Sequence, residues 1–200
     1  CHTWNLTKIM KNIEIQLSES ARVKELMISS CTQSIQNAAD LIISSIRMGG
    51  KVMWCGNGGS AAQAQHLSTE IIGGLRRHDL PPHPSISLTT DSSLITAWTN
   101  DVDFDSLFSR QIEGLGSAGD VLVALSTSGN SSNIIKAVKI SESIGVQTII
   151  MTGKSGGSLA SMGNVRIMIP SEDTQRIQEG HITAGHIFCE LVERAFIPEN

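Results

Sequence analysis

No stretch of this 200-residue chain approaches the roughly 20 consecutive apolar residues of a membrane-crossing helix, and no charged start followed by an apolar segment marks a secretory leader. A soluble, cytoplasmic protein is expected, with no membrane partner. There is no long basic run either, and the formal net charge is -4, so the electrostatic footprint of a nucleic-acid binder is missing. Neither GxxxxGK[ST] nor a GxGxxG followed by an acidic residue occurs, which argues against nucleotide hydrolysis and a dinucleotide cofactor. The four cysteines, Cys1, Cys31, Cys55 and Cys189, form no CxxC pair and no zinc-finger spacing, as suits reduced thiols in the cytosol. Repeats, low-complexity tracts and linkers are absent, so residues 1–200 are expected to form one domain, and 40% hydrophobic content is enough to fill its core. The chain begins Cys1-His2-Thr3-Trp4 rather than with a methionine; these residues are expected to be foreign to the protein, a processed lipoprotein end being the other reading.

What remains is a pattern of alternating elements. From Leu6 to Arg47 apolar residues recur at three and four, closed by Gly49-Gly50, which predicts helix. The run is long, so two helices joined near Ser29 to Gln33 are expected. Residues 1–48 are assigned to oligomer packing and 49–200 to an α/β core. Five β-branched, apolar segments follow at 51–55, 85–89, 121–125, 148–152 and 165–169, each reading as a buried strand. Helical patterns lie between and after them at 60–72, 104–115, 131–144, 157–162 and 175–196. Strand and helix in alternation predict a doubly wound, five-stranded parallel sheet of flavodoxin-like order, 2-1-3-4-5.

Two strand-to-helix turns carry chemistry. The first, Cys55-Gly56-Asn57-Gly58-Gly59-Ser60, offers glycines, a hydroxyl and free amides to an anion. Glycine alone is ordinary at such a turn. The second, Ser126-Thr127-Ser128-Gly129-Asn130-Ser131, puts four hydroxyls in six residues beside a helix N-terminus. An N-cap needs only one hydroxyl, whereas a phosphate monoester uses all of them. The predicted strand order makes the first and third strands neighbours, so both turns flank the switch point and line one crevice. A compact phosphorylated ligand is expected.

Proton transfer or metal binding has its own candidates. His66 and Glu70, four apart on the helix after the first turn, share a face. Gln178, His181 and His186 lie on the last helix, with Gln178 and His186 within about a quarter turn of one face. Taken singly, each is more ordinarily a surface pair or a satisfied core histidine. Together they supply a base and an acid for moving a sugar carbonyl through an enediol, or a ligand set in which two imidazoles and oxygens favour zinc over magnesium.

GNGGS at 56–60, AQHLSTE at 64–70, NDVDF at 100–104, GDVLVALSTSGNSSNIIKA at 119–137, TGKSGG at 152–157 and RIQEGH at 176–181 together resemble the phosphoheptose isomerase family of SIS-domain proteins. STSGNS alone marks the wider superfamily; its combination with QH…E and RIQE…H is more specific. The resemblance implies an aldose-ketose isomerase acting on sedoheptulose 7-phosphate, for the heptose of bacterial surface polysaccharide. It implies Glu70 and His186 as catalytic pair, Ser60, Ser126, Thr127, Ser128 and Ser131 on the phosphate, and Asn57, Gly58, Asp101 and Gln178 on the substrate. It also implies one zinc per subunit on His66, Glu70, Gln178 and His186, and a homotetramer with sites between subunits. The pattern departs at Gln63, Gly74 and Gln175, where the family commonly has Asp, Arg and Asp. Two alternatives stay open: a non-catalytic DnaA initiator-associating SIS protein, which resembles this chain in GNG and RIQE, and an isomerase of another phosphosugar.

Overall fold

The computed structural model describes residues 6–198, with side chains from residue 10 onward; Cys1 to Trp4 lie outside the described residues. Six α-helices and five strands follow the order α1 (Leu6–Arg47), β1 (Val52–Gly56), α2 (Gly59–Gly73), β2 (Ser85–Ser87), α3 (Ser92–Asp101), α4 (Leu107–Leu115), β3 (Val121–Leu125), α5 (Ser132–Ser143), β4 (Gln147–Thr152), β5 (Val165–Met168) and α6 (Thr174–Arg194). A short 3-10 helix, Gly157–Ser161, precedes β5.

The sheet is parallel throughout in the order β2-β1-β3-β4-β5, as predicted. Alternation along the central strands divides the core between two faces. Val52 and Trp54 of β1 join Val121, Val123 and Leu125 of β3 under α1, α2 and α6. Met53 and Cys55 join Leu122 and Ala124 under α4 and α5. Trp54 stacks on Phe188 of α6 at 6.1 Å and donates its indole N–H to Ser85 Oγ at 2.9 Å.

Three expectations need correction. The first 42 helical residues form one helix, about 63 Å long, rather than two. The hydroxyls around the expected joint bond back to helix carbonyls: Ser29 and Ser30 to Leu26, Thr32 to Ile28 and Ser34 to Cys31. No Gly or Pro interrupts the run, so nothing forces a break. Second, α3 was not predicted. None of its residues is buried, which leaves little periodicity to read, although Asp91 caps it by accepting from Leu94 N at 2.9 Å. The helix expected from Phe104 starts at Leu107 because Asp103 accepts from both the amide and the hydroxyl of Ser106, making a turn there. Third, β2 and β5 are not buried along their length: Ile86 and Arg166 are exposed, since each strand has a neighbour on one side only.

A crevice and a cluster of two histidines and a carboxylate

Both predicted turns sit at the C-terminal ends of adjacent strands, β1 and β3. In the first, Gly58 precedes α2 with φ of 54°, a left-handed conformation that suits glycine. A side chain at Gly59 would collide with the amide of Gln178, whose nitrogen lies 2.6 Å from where a Cβ would stand. Ser60 is buried, with its amide donating to the Asn57 carbonyl at 2.9 Å.

Four carbonyls of the second turn, those of residues 126–129, accept hydrogen bonds, two from within the turn and two from the segment after β4. Gly129 N donates to Ser126 O at 3.1 Å, Gly153 N to Thr127 O at 3.0 Å, Asn130 Nδ2 to Ser128 O at 3.2 Å and Leu159 N to Gly129 O at 3.1 Å. Asn130 Oδ1 in turn accepts from the amide and hydroxyl of Ser158. The TGKSGG segment is therefore the brace of this turn, and contact is so close that a Cβ at Gly129 would stand 1.9 Å from Gly156 O. With the carbonyls tied back, the amides of Thr127, Ser128, Ser131, Ser132 and Asn133 have no acceptor among the described residues. They belong to the same turn and helix start as the hydroxyls of Ser126 and Ser131, themselves 3.2 Å apart. An anion is what free amides and hydroxyls at a helix N-terminus accommodate.

Helices α2 and α6 lie side by side and run the same way, Gly59 beside Gln178, Leu67 beside Gly185 and Gly74 beside Glu193. That packing brings His66 Nε2 to 2.7 Å from His186 Nε2 and 3.2 Å from Glu70 Oε1. Two ring nitrogens that close require a proton between them or a common cation. The donor atoms of His66, Glu70 and His186 fall within 4.8 Å of one another, so the three could hold a metal ion. His66 is six residues from Ser60, so the cluster starts about 9 Å down α2 from the first turn.

Other predicted residues take different places. The Gln178 side chain packs over Gly59 at the turn, and its backbone carbonyl accepts from Gln63 Nε2 at 2.6 Å. Asn57 is bound to Asn133 through both of its amide atoms. Asp101 ends α3, exposed, and accepts from Asn100; no hydrogen bond among the described residues joins it to either turn. His181 is fully buried, away from the cluster, and burial pushes its pKa down to about 4 against a smaller upward pull from the Thr152 backbone. Cys189 is buried as well; desolvation first, then the Glu70 carboxylate, push its pKa up, which leaves it an inert thiol. Gly74, where the resembled family commonly has Arg, has φ of 84°, and a Cβ there would meet Arg77 O at 2.4 Å.

Sequence reasoning missed Asn133 and Asn130. A motif-based signal existed for Asn130, inside STSGNS, but its bracing role depends on the segment after β4 and could not be read from spacing.

The SIS domain family profile matches residues 17–153. The chain is similar to the phosphoheptose isomerase of Aquifex aeolicus, 43% identical over 185 residues that cover 92% of this chain and 96% of that protein. It is likewise similar to the phosphoheptose isomerase of Rhodospirillum rubrum, 48% identical over 170 residues, 85% of this chain and 90% of that one. Among solved structures, phosphoheptose isomerase GmhA of Neisseria gonorrhoeae superposes with a TM-score of 0.86 at 39% identity, covering 92% of this chain and 99% of the other.

Proposed function

The chain belongs to the phosphoheptose isomerases within the SIS-domain family, and from that premise we propose that it converts D-sedoheptulose 7-phosphate to D-glycero-D-manno-heptose 7-phosphate. One observation carries the mechanism: His66, Glu70 and His186 converge at a fixed distance from a phosphate-grade turn. A seven-carbon sugar phosphate held by its 7-phosphate at the turns reaches along α2 with its C1 and C2 toward the cluster. A shorter phosphosugar reaches less far, which favours the heptose over the other phosphosugars.

In this reading Ser60, Ser126, Thr127, Ser128 and Ser131 hold the phosphate, while Asn57, Gly58, Asp101 and Gln178 meet the sugar. Glu70 takes a proton from C1 as His186 protonates the C2 carbonyl oxygen, giving the enediol. Loss of the proton on O1 and delivery of a proton to C2 leave the aldehyde at C1. His66 stands between the two, 2.7 Å from one and 3.2 Å from the other, and keeps both in their working orientation.

Two imidazoles and a carboxylate suit zinc, one per subunit; held by His66, Glu70 and His186, it would polarise the carbonyl and neighbouring hydroxyl as a Lewis acid, whereas Gln178, the fourth ligand that the resemblance implies, packs at Gly59 away from this cluster. No nucleotide cofactor is needed. The domain is one SIS unit over residues 1–200, its 1–48 segment packing a homotetramer with sites between subunits, working in the cytoplasm to supply heptose for the bacterial surface. Among the described residues no helix is long and apolar enough to cross a membrane.

The test is turnover of sedoheptulose 7-phosphate, with and without added zinc, for wild type and Glu70→Gln. Wild type should form aldose and the variant should lose at least about a hundredfold in kcat while staying folded. Wild type inert under both conditions, together with tight binding to a replication initiator, would favour the non-catalytic alternative.

A further inference from the structure

The two turns belong to different strands, yet one side-chain pair spans them. Asn57 Nδ2 donates to Asn133 Oδ1 at 2.9 Å, and Asn133 Nδ2 donates to Asn57 Oδ1, also at 2.9 Å. Asn57 follows β1, whereas Asn133 is the second residue of α5 and only 2% exposed. Among the described residues no other hydrogen bond crosses from residues 56–60 to residues 126–133. The other bonds that reach the second turn from outside it come from the opposite side, through Met151, Gly153, Ser158 and Leu159.

We propose that Asn133 is a positioning residue for the phosphate: its reciprocal amide pair with Asn57 fixes the separation of the two turns, so that Ser60 and the serine-rich turn close on the same anion. The inference rests on the reading of those turns as a phosphate site. Donors arranged before the ligand arrives need no reordering when it binds, and a buried amide has no water to replace a lost partner. The pair uses one N–H and one lone pair of Asn57 and leaves the others for the sugar. The Asn133 side chain thereby sets the direction of the Asn57 amide, with both of its amide atoms turned to Asn57 rather than to substrate.

The experiment uses Asn133→Ala and Asn133→Ser, which remove the pair without adding charge. Inorganic phosphate serves as the probe of the turns, read as its shift of the thermal unfolding midpoint, alongside kcat and KM for sedoheptulose 7-phosphate. Both variants should lose most of the phosphate-induced shift and show KM raised about tenfold, with kcat within about twofold of wild type. A generally weakened fold would lower the midpoint without changing its response to phosphate or KM, and that result overturns the inference. Wild type with no phosphate response overturns the phosphate reading and this inference together, whereas a wild-type response matched by both variants overturns this one alone. Should Asn133→Ala be recovered only as aggregate, the serine variant decides by the same readings.

Discussion

Single residues in this molecule are set by what surrounds them more than by their type. Six histidines occur in the sequence, and three of them show the range. His66 and His186 are accessible and touch, while His181, five residues before His186, is sealed in the core with neither ring nitrogen in a hydrogen bond of good geometry. Its pKa, about 4, lies below the unfolded value of 6.5. Above pH 6.5 the ring is neutral in both states and its contribution is whole; between 6.5 and 4 the unfolded chain binds a proton that the folded chain refuses. Stability therefore falls as pH drops through that window, by roughly 3 kcal/mol at its foot. Unfolding midpoints measured from pH 7 to pH 4 should decline less steeply in His181→Phe than in wild type, and parallel curves would show that another group dominates the acid response.

Among helices and strands, the parallel pair α2 and α6 sets the candidate site, and its far end has a fixed clasp. Glu193 accepts the backbone amides of Leu75 at 2.7 Å, Arg76 at 3.0 Å and Arg77 at 3.1 Å, tying the chain after α2 to the last turn of α6. Burial raises the Glu193 pKa, but those amides outweigh it and hold it below the usual value. Glu193→Gln should cost about 2 kcal/mol in denaturant unfolding, since a neutral amide can satisfy fewer of the three donors. An unchanged midpoint would show that the loop keeps its place without the clasp. Legibility in the sequence followed the same lines. Central strands such as Val121–Leu125 were plain because a strand buried on both faces is a continuous apolar run, and both turns were marked by glycine and hydroxyl. His66 and Glu70 could be paired from spacing alone. The meeting of His66 with His186 could not, because it depends on how two helices 120 residues apart lie against one another. Asn133 looked like one more polar residue at a helix start until the sheet order brought Asn57 beside it.

For the whole molecule, the unanswered surface is the first half of α1. Val23, Met27, Cys31, Ile35, Ala38 and Ile42 bury one stripe against α6 and β5. Ile13 and Leu17 continue that stripe toward the N-terminus, where they are 48% and 67% exposed. An apolar stripe that outruns its own core fits packing against further copies of the chain, as the proposed tetramer requires. Light scattering should give four times the chain mass for wild type and a smaller species for the double variant Ile13→Lys, Leu17→Lys. A monomeric wild type would remove the oligomer from the proposal.

The seating of α1 also bears on how the chain is made. Its buried stripe rests chiefly on β5 and α6, with a smaller contact on β3, so most of the surface that covers this helix is synthesised long after it. Until then a long apolar stripe is open to chaperones and to neighbouring nascent chains. In the proposed tetramer, assembly of subunits through the free half of α1 would then wait for its other half to dock on β5 and α6, which ties oligomer formation to folding of the core.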